Sequence, residues 1–170
     1  MTTKTRSYLR KNFGLICSIF LYYIVHEGSH VLIALLFGAL KGIKITGFGI
    51  QVIADIDNLT DFKLGIFCIV GSISTLIVGY TLVLLIKKIV IIKNKIIKSV
   101  CYYTTLVFLL LDPLYLTIIY KFVGGGDMNG IKLFGLKEII IQFIYGFIIV
   151  INIYIIIKKV YPQYKENFNE

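Results

Sequence analysis

The sequence predicts an all-α polytopic membrane protein, with about four transmembrane helices and a short membrane-edge β-hairpin after the first. Three observations carry that class. Hydrophobic residues make up 58% of the 170, mean hydropathy is +0.87, and charged residues are only 16%, against about 25% in ordinary soluble proteins. The apolar residues gather in four runs, each long enough for the roughly 20 residues of helix that cross a bilayer. Between the first two runs the pattern shifts from continuous to alternating, which is the period of a strand. At this length one membrane-embedded domain, residues 1–170, is expected.

Residues 1–12 are polar and basic, with Lys4, Arg6, Arg10 and Lys11. The first span, about 13–40, exceeds what a perpendicular crossing needs, so it tilts or projects. It is too long for a signal-peptide core and is expected to stay in the mature chain. Gly38 and Gly42 then loosen the chain. In residues 43–57, Ile43, Ile45, Phe48, Ile50 and Val52 alternate with Lys44, Thr46, Gly49 and Gln51. That pattern predicts a hairpin with Gly47 or Gly49 in the turn. Bare strand edges cannot face lipid, so the pair must lie against protein, substrate or interfacial water.

A polar link follows, in which Asn58, Thr60 or Asp61 can cap the next helix. The second span, about 64–86, carries Gly65, Gly71, Ser72, Ser74, Thr75 and Gly79. Small residues let helices approach closely, so 71–79 is expected to face the first span. Residues 87–98 hold five lysines among isoleucines, a basic loop or interfacial helix. The third span, about 100–122, is interrupted at Asp112-Pro113, where the missing backbone donor predicts a kink. Gly124 to Gly130 reads as flexible chain. The fourth span, about 139–157, contains Gln142 and Asn152, which can bond neighbouring helices, and 158–170 reads as an exposed charged tail.

Net charge is +9, but the lysines cluster between apolar runs and form no stripe with interleaved aromatics. That excludes a nucleic-acid partner and makes the lipid bilayer the expected one. Twelve Lys and Arg fall in the N-terminus, the 87–98 segment and the tail, and six in the other two connections. The positive-inside rule then puts both termini in the cytoplasm, and the expected location is a prokaryotic cell membrane. Cys17, Cys68 and Cys101 are scattered and read as small buried hydrophobes.

The chemistry sits in the first span, at His26-Glu27-Gly28-Ser29-His30. These are the chain's only two histidines, and Glu27 is its only glutamate before position 138. On a helix, residues i and i+4 share a face, so His26 and His30 can bind one metal ion. Glu27 follows the first ligand and can act as general base toward a water that the metal activates. Ionisable residues inside a membrane helix are costly, which marks them as functional. The competing reading is a polar helix-packing patch. A catalytic zinc takes three protein ligands, and no third histidine exists. Asp112, at a similar apparent depth to His26, and Asp127, among glycines, are both open on the residues alone. For Asp112 the other role is a carboxylate that orients a ligand, and for Asp127 an ordinary Gly-Asp turn.

The chain resembles the compact branch of the site-2 protease family of intramembrane zinc metalloproteases, over about residues 13–131. The resemblance lies in His26-Glu27-Gly28-Ser29-His30 within the first helix, in Gly47-Phe48-Gly49 of the hairpin, and in Gly71-Ser72-Ile73-Ser74, which is similar to the family's Gly-Pro-x-Ser without its proline. Asp112-Pro113 and Gly125-Gly126-Asp127 look like a degenerate form of the NxxPxxxLDG motif. The resemblance implies zinc held by His26, His30 and Asp127, with Asp112 the alternative third ligand, and Glu27 as the catalytic base. It implies a membrane-protein or lipid-embedded peptide substrate, with Gly47, Gly49 and Asn129 on the substrate-binding side. Two other classes fit the same motif: a non-proteolytic metal-binding membrane protein (pseudoprotease, sensor or carrier) and a helix-packing scaffold subunit. Metal content separates the scaffold from the rest, and Glu27→Gln separates protease from non-proteolytic binder.

Overall fold

The computed structural model describes residues 3–46 and 49–168. The chain folds as α1 (Thr3–Leu36), β1 (Leu40–Thr46), β2 (Gly49–Ala54), α2 (Asp61–Leu84), α3 (Ile86–Val90) and α4 (Lys95–Leu114). A π-helical turn at Tyr115–Ile119 carries α4 on into α5 (Tyr120–Val123), then come α6 (Gly126–Ile131) and α7 (Glu138–Ile155). A second π-helical turn, Ile156–Val160, leads into α8 (Tyr161–Phe168). Four helical stretches, Thr5–Leu36, Asp61–Leu84, Lys95–Val123 and Glu138–Asn167, are long and apolar enough to cross a membrane. The protein is a multi-pass membrane protein with a two-stranded antiparallel hairpin after its first helix.

α1 begins ten residues earlier than the apolar run, because Lys and Arg are good helix formers and continue the helix beyond the hydrocarbon. Ser99 at the start of α4 donates to the Arg10 carbonyl at 3.1 Å, and Gly14 lies against the Ser99 side chain. The helix ends at Leu36, short of the expected 40. Gly38 takes φ +65°, Gly38 N bonds Leu35 O at 3.0 Å and Ala39 N bonds Ala34 O at 2.8 Å. This paired termination needs a residue in the left-handed region, which glycine supplies without steric cost. The chain then turns directly into β1.

Lys44 pairs with Gln51 and Ile43 with Val52 in the hairpin. Its base is closed by Lys41 Nζ to Asp55 Oδ1 at 2.7 Å, with Asn58 donating to Asp55 Oδ2 at 2.8 Å. The Lys41 hydrogen bond, then that of Asn58, holds the Asp55 carboxyl below its ordinary range. Gly49 lies in strand β2, not in the turn, and Gly47 and Phe48 lie outside the described residues. Thr60 caps α2, its hydroxyl accepting from Lys63 N at 3.4 Å.

The small residues of α2 serve three neighbours rather than the first span alone. Gly71 faces His26 and His30 of α1, Gly79 faces Phe108 and Leu109 of α4, and Gly65 faces Phe134 after α6. The expected kink at Asp112 is a π-helical turn just past Pro113. Proline has no N–H for the carbonyl four residues back, here Leu109 O. That carbonyl instead accepts from the buried Asn152 of α7 at 2.5 Å, and Asn152 Oδ1 accepts from Tyr80 of α2 at 2.7 Å. Gln142 likewise donates to Tyr120 Oη at 2.7 Å.

Two segments, 126–131 and the tail, are more ordered than their composition predicts, and the start of the basic segment takes its helical alternative. Gly126–Ile131 is helical, because Met128 and Ile131 are buried and Gly130 brings the segment against Cys68 of α2. Residues 86–90 form α3, with Ile86, Ile89 and Val90 turned inward and Lys87 and Lys88 exposed. The tail is no exposed extension either: Val160 and Tyr164, one helical turn apart, are buried against Val83, Ile86, Ile89 and Leu109. Lys98 Nζ donates to the Asn167 carbonyl at 2.8 Å, a cation at a helix C-terminus.

Two apolar clusters result. One holds Ala34, Val52, Phe67, Leu116 and Met128, and the other lies around Leu109, Val160 and Tyr164. Along α1, α2 and α4 they are separated by a layer of buried polar side chains, among them Tyr22, His26, Ser72, Thr75 and Asp112. Outward-facing Phe20, Leu84, Phe143, Phe147 and Val150 are exposed, as lipid contact requires.

Candidate metal centre

The polar layer exists because α1 places Tyr22, His26 and His30 four residues apart on one inward face. Both histidines are buried. Their Nε2 atoms lie 3.2 Å apart. Asp127, in the first turn of α6, brings Oδ2 to 3.5 Å from His26 Nε2 and Oδ1 to 3.9 Å from His30 Nε2. The three residues form the group of possible metal ligands found among the described residues, their ligand atoms all within 4.8 Å of one another. Zinc bonds of about 2.0–2.2 Å in tetrahedral geometry put ligand atoms about 3.3 Å apart, so small movements of Asp127 bring this set to coordination distance.

The opposite side of each ring is equally defined. His30 Nδ1 lies 2.7 Å from the Phe67 carbonyl. His26 Nδ1 lies 3.1 Å from Asp112 Oδ1 and 3.3 Å from Oδ2. A carbonyl and a carboxylate only accept, so each Nδ1 carries a hydrogen, and the two Nε2 atoms are the ring atoms that face Asp127. The two Nε2 atoms and the Asp127 carboxylate converge, and each Nε2 offers a lone pair to a metal when it carries no hydrogen. Two imidazoles with a carboxylate form a donor set that could hold a divalent metal of the zinc type.

Asp112 faces the back of His26 and does not meet His30 or Asp127 across the centre. Of the two candidate aspartates, the fold brings Asp127 to the Nε2 side and Asp112 to the Nδ1 side. Glu27, next in the chain, is half-buried and its Oε2 accepts from the Val52 backbone N–H of β2 at 3.2 Å. Val52 thus points its N–H away from β1, and the free edge of β2 borders the centre. A cleft of about 1080 Å³ opens there, lined among others by His26, Glu27, Val52, Tyr115, Asp127 and Asn129. Asn129 is exposed on its rim, and Gly49, also lining the cleft, packs against the Tyr23 ring.

Sequence reasoning overlooks four contributors. Tyr22 is signalled by its position one turn before His26. Thr75 hides among the small residues of α2, and the Phe67 carbonyl and Val52 N–H are backbone groups that no side-chain pattern announces. Gly71 has a specific task as well: a Cβ there would lie 2.7 Å from His30 Nε2 and 2.8 Å from His26 Nε2. The three cysteines are free, and Cys68 is buried beside α6. No family model, curated protein or solved structure matches the chain.

Proposed function

We propose that this chain is an intramembrane zinc metalloprotease that hydrolyses a peptide bond in or near a transmembrane segment of a membrane-bound protein. The support that weighs most is the convergence of His26, His30 and Asp127 with Glu27 beside them at the foot of an open cleft. Glu27 follows the first ligand directly, where a general base stands, and the resemblance to site-2 proteases points the same way.

His26, His30 and Asp127 would hold the zinc. Bound there, zinc polarises the scissile carbonyl and makes a water molecule easier to deprotonate. Glu27 takes the proton of the attacking water as its oxygen bonds the carbonyl carbon. When the C–N bond breaks, Glu27 returns that proton to the departing amine. A peptide bond inside a helix is shielded, so the substrate must be unwound. Away from the Val52 N–H that Glu27 occupies, the edge of β2 offers backbone groups to an extended chain, and Asn129 on the rim can donate to a substrate carbonyl. The excess of Lys and Arg around the N-terminus, the α3 region and α8 favours cytoplasmic termini, in what we take to be a prokaryotic cell membrane. The hairpin and α6 then lie on the outer side.

The test compares purified full-length chains in detergent, then cell membranes containing them. About one zinc per chain is expected in wild type and in Glu27→Gln, and loss of zinc in His26→Ala and Asp127→Ala. Mass spectrometry should find new peptide ends within transmembrane segments in membranes with wild type and not with Glu27→Gln. Zinc binding with identical peptide ends in both would leave a metal-binding protein without protease activity.

A further inference from the structure

Resting on the metal-centre reading, we propose that Asp112 is a positioning residue that fixes the His26 ring for the metal, with Tyr22 and Thr75 holding its carboxylate in place. Asp112 is 1% exposed, and α1 and α2 both send donors to it. Tyr22 Oη donates to Asp112 Oδ1 at 2.5 Å, and the Thr75 hydroxyl donates to Oδ2. Each hydroxyl has a single hydrogen. Thr75 Oγ1 also lies 3.0 Å from the Ser72 carbonyl, but the carboxylate is the stronger acceptor and takes it.

Tyr22 Oη lies 3.2 Å from His26 Nδ1 as well. With its hydrogen on Asp112, that oxygen can only accept there. A bare Nδ1 would then face two carboxylate oxygens and a phenol lone pair with nothing between them. A hydrogen must therefore sit on Nδ1, which makes Nε2 the ring atom that can give a lone pair to a metal. A negative charge behind the ring also makes Nε2 the better donor to a cation. The two histidines are unequal in this respect. His30 is backed by a neutral backbone carbonyl that no substitution removes, and His26 by a side chain that can be replaced.

The experiment measures zinc affinity of the detergent-solubilised full chain by competition with a chromophoric chelator. Thermal unfolding of the zinc-free protein is followed in parallel, for wild type, Asp112→Asn, Tyr22→Phe and Thr75→Val. Asp112→Asn is expected to weaken zinc about 10- to 100-fold, with a changed visible spectrum of the cobalt(II)-loaded protein. Tyr22→Phe and Thr75→Val should weaken zinc by less. If Asp112 only joins helices, Asp112→Asn lowers zinc-free unfolding and leaves zinc affinity and the cobalt spectrum unchanged, and that result overturns the proposal. If Asp112→Asn does not fold, Tyr22→Phe decides: reduced zinc affinity supports the role and unchanged affinity overturns it. A wild-type chain that binds no zinc removes the metal-centre reading and this role with it. Wild-type binding with unaffected variants removes the positioning role alone.

Discussion

Replacing Gly71 by alanine should disable the metal centre without touching a ligand. The added methyl would lie 2.7 Å from His26 Cε1 and from His30 Nε2, and 2.8 Å from His26 Nε2. Comfortable contact begins near 3.5 Å, so the rings or α2 must give way by about 0.8 Å, beyond the roughly 0.2 Å that a metal site tolerates in its bond lengths. Neither ring moves freely, since Asp112 holds the back of one and the Phe67 carbonyl the back of the other. Overpacking of this kind costs about 1–3 kcal/mol, which at about 1.4 kcal/mol per decade is a loss of about 5- to 150-fold in zinc affinity. Chelator competition on Gly71→Ala, with circular dichroism to verify that the helices remain, reads this directly. Wild-type zinc affinity in a folded Gly71→Ala chain would refute the packing argument and place the metal away from both Nε2 atoms.

Two further outcomes follow from the polar groups outside the centre. Asn152→Leu strands the Leu109 carbonyl that Pro113 leaves without a backbone donor, at a cost of about 1–3 kcal/mol for the unsatisfied group, read as a lower unfolding temperature. The same change in a Pro113→Ala background should cost less, because the restored backbone N–H can again donate to the Leu109 carbonyl, and equal costs in the two backgrounds would disprove the link. At the hairpin, Lys41→Ala should raise the Asp55 titration toward its ordinary value near 3.8, followed by carboxyl NMR. The sign is that of a depressed carboxylate: the Lys41 contact stabilises above the ordinary value and is lost as pH falls through the lowered one. An Asp55 titration unmoved by Lys41→Ala would show that the ion pair does not persist in solution.

The spans are legible in the sequence because lipid-facing helices must be apolar around most of their circumference, and these runs far exceed the roughly 4–8 residues of a buried strand. The hairpin is legible because residues 43–53 switch to a period of two. The placement of His26 and His30 on one face follows from helical pitch alone. Choosing between Asp112 and Asp127 does not, since Asp112 lies at a similar apparent depth to His26, Asp127 lies among glycines, and only the packing of α4 and α6 reveals which ring nitrogen each one meets. α6 is hidden because Gly124-Gly125-Gly126 argues for coil, while its helix is held by burial of Met128 and Ile131 against α2. Where the second π-helical turn runs into α8, the spacing of Val160 and Tyr164 is a genuine helical signal, masked by Lys158, Lys159 and Lys165 around it.

The hydrogen bond from Val52 N–H to Glu27 has a consequence for the solubility of the fold. A two-stranded hairpin leaves an unpaired edge on each side, and such edges recruit stray strands and nucleate aggregates. β2 turns one of its edge donors to a carboxylate from α1, so a passing strand meets a negative charge where it would place its own carbonyl. The side chain proposed as the general base is also the guard of the sheet. Neutralising it by Glu27→Gln therefore does more than remove a base: it leaves the hairpin edge without its charge, and self-association of that variant would be a property of the strand and no sign of a misfolded core.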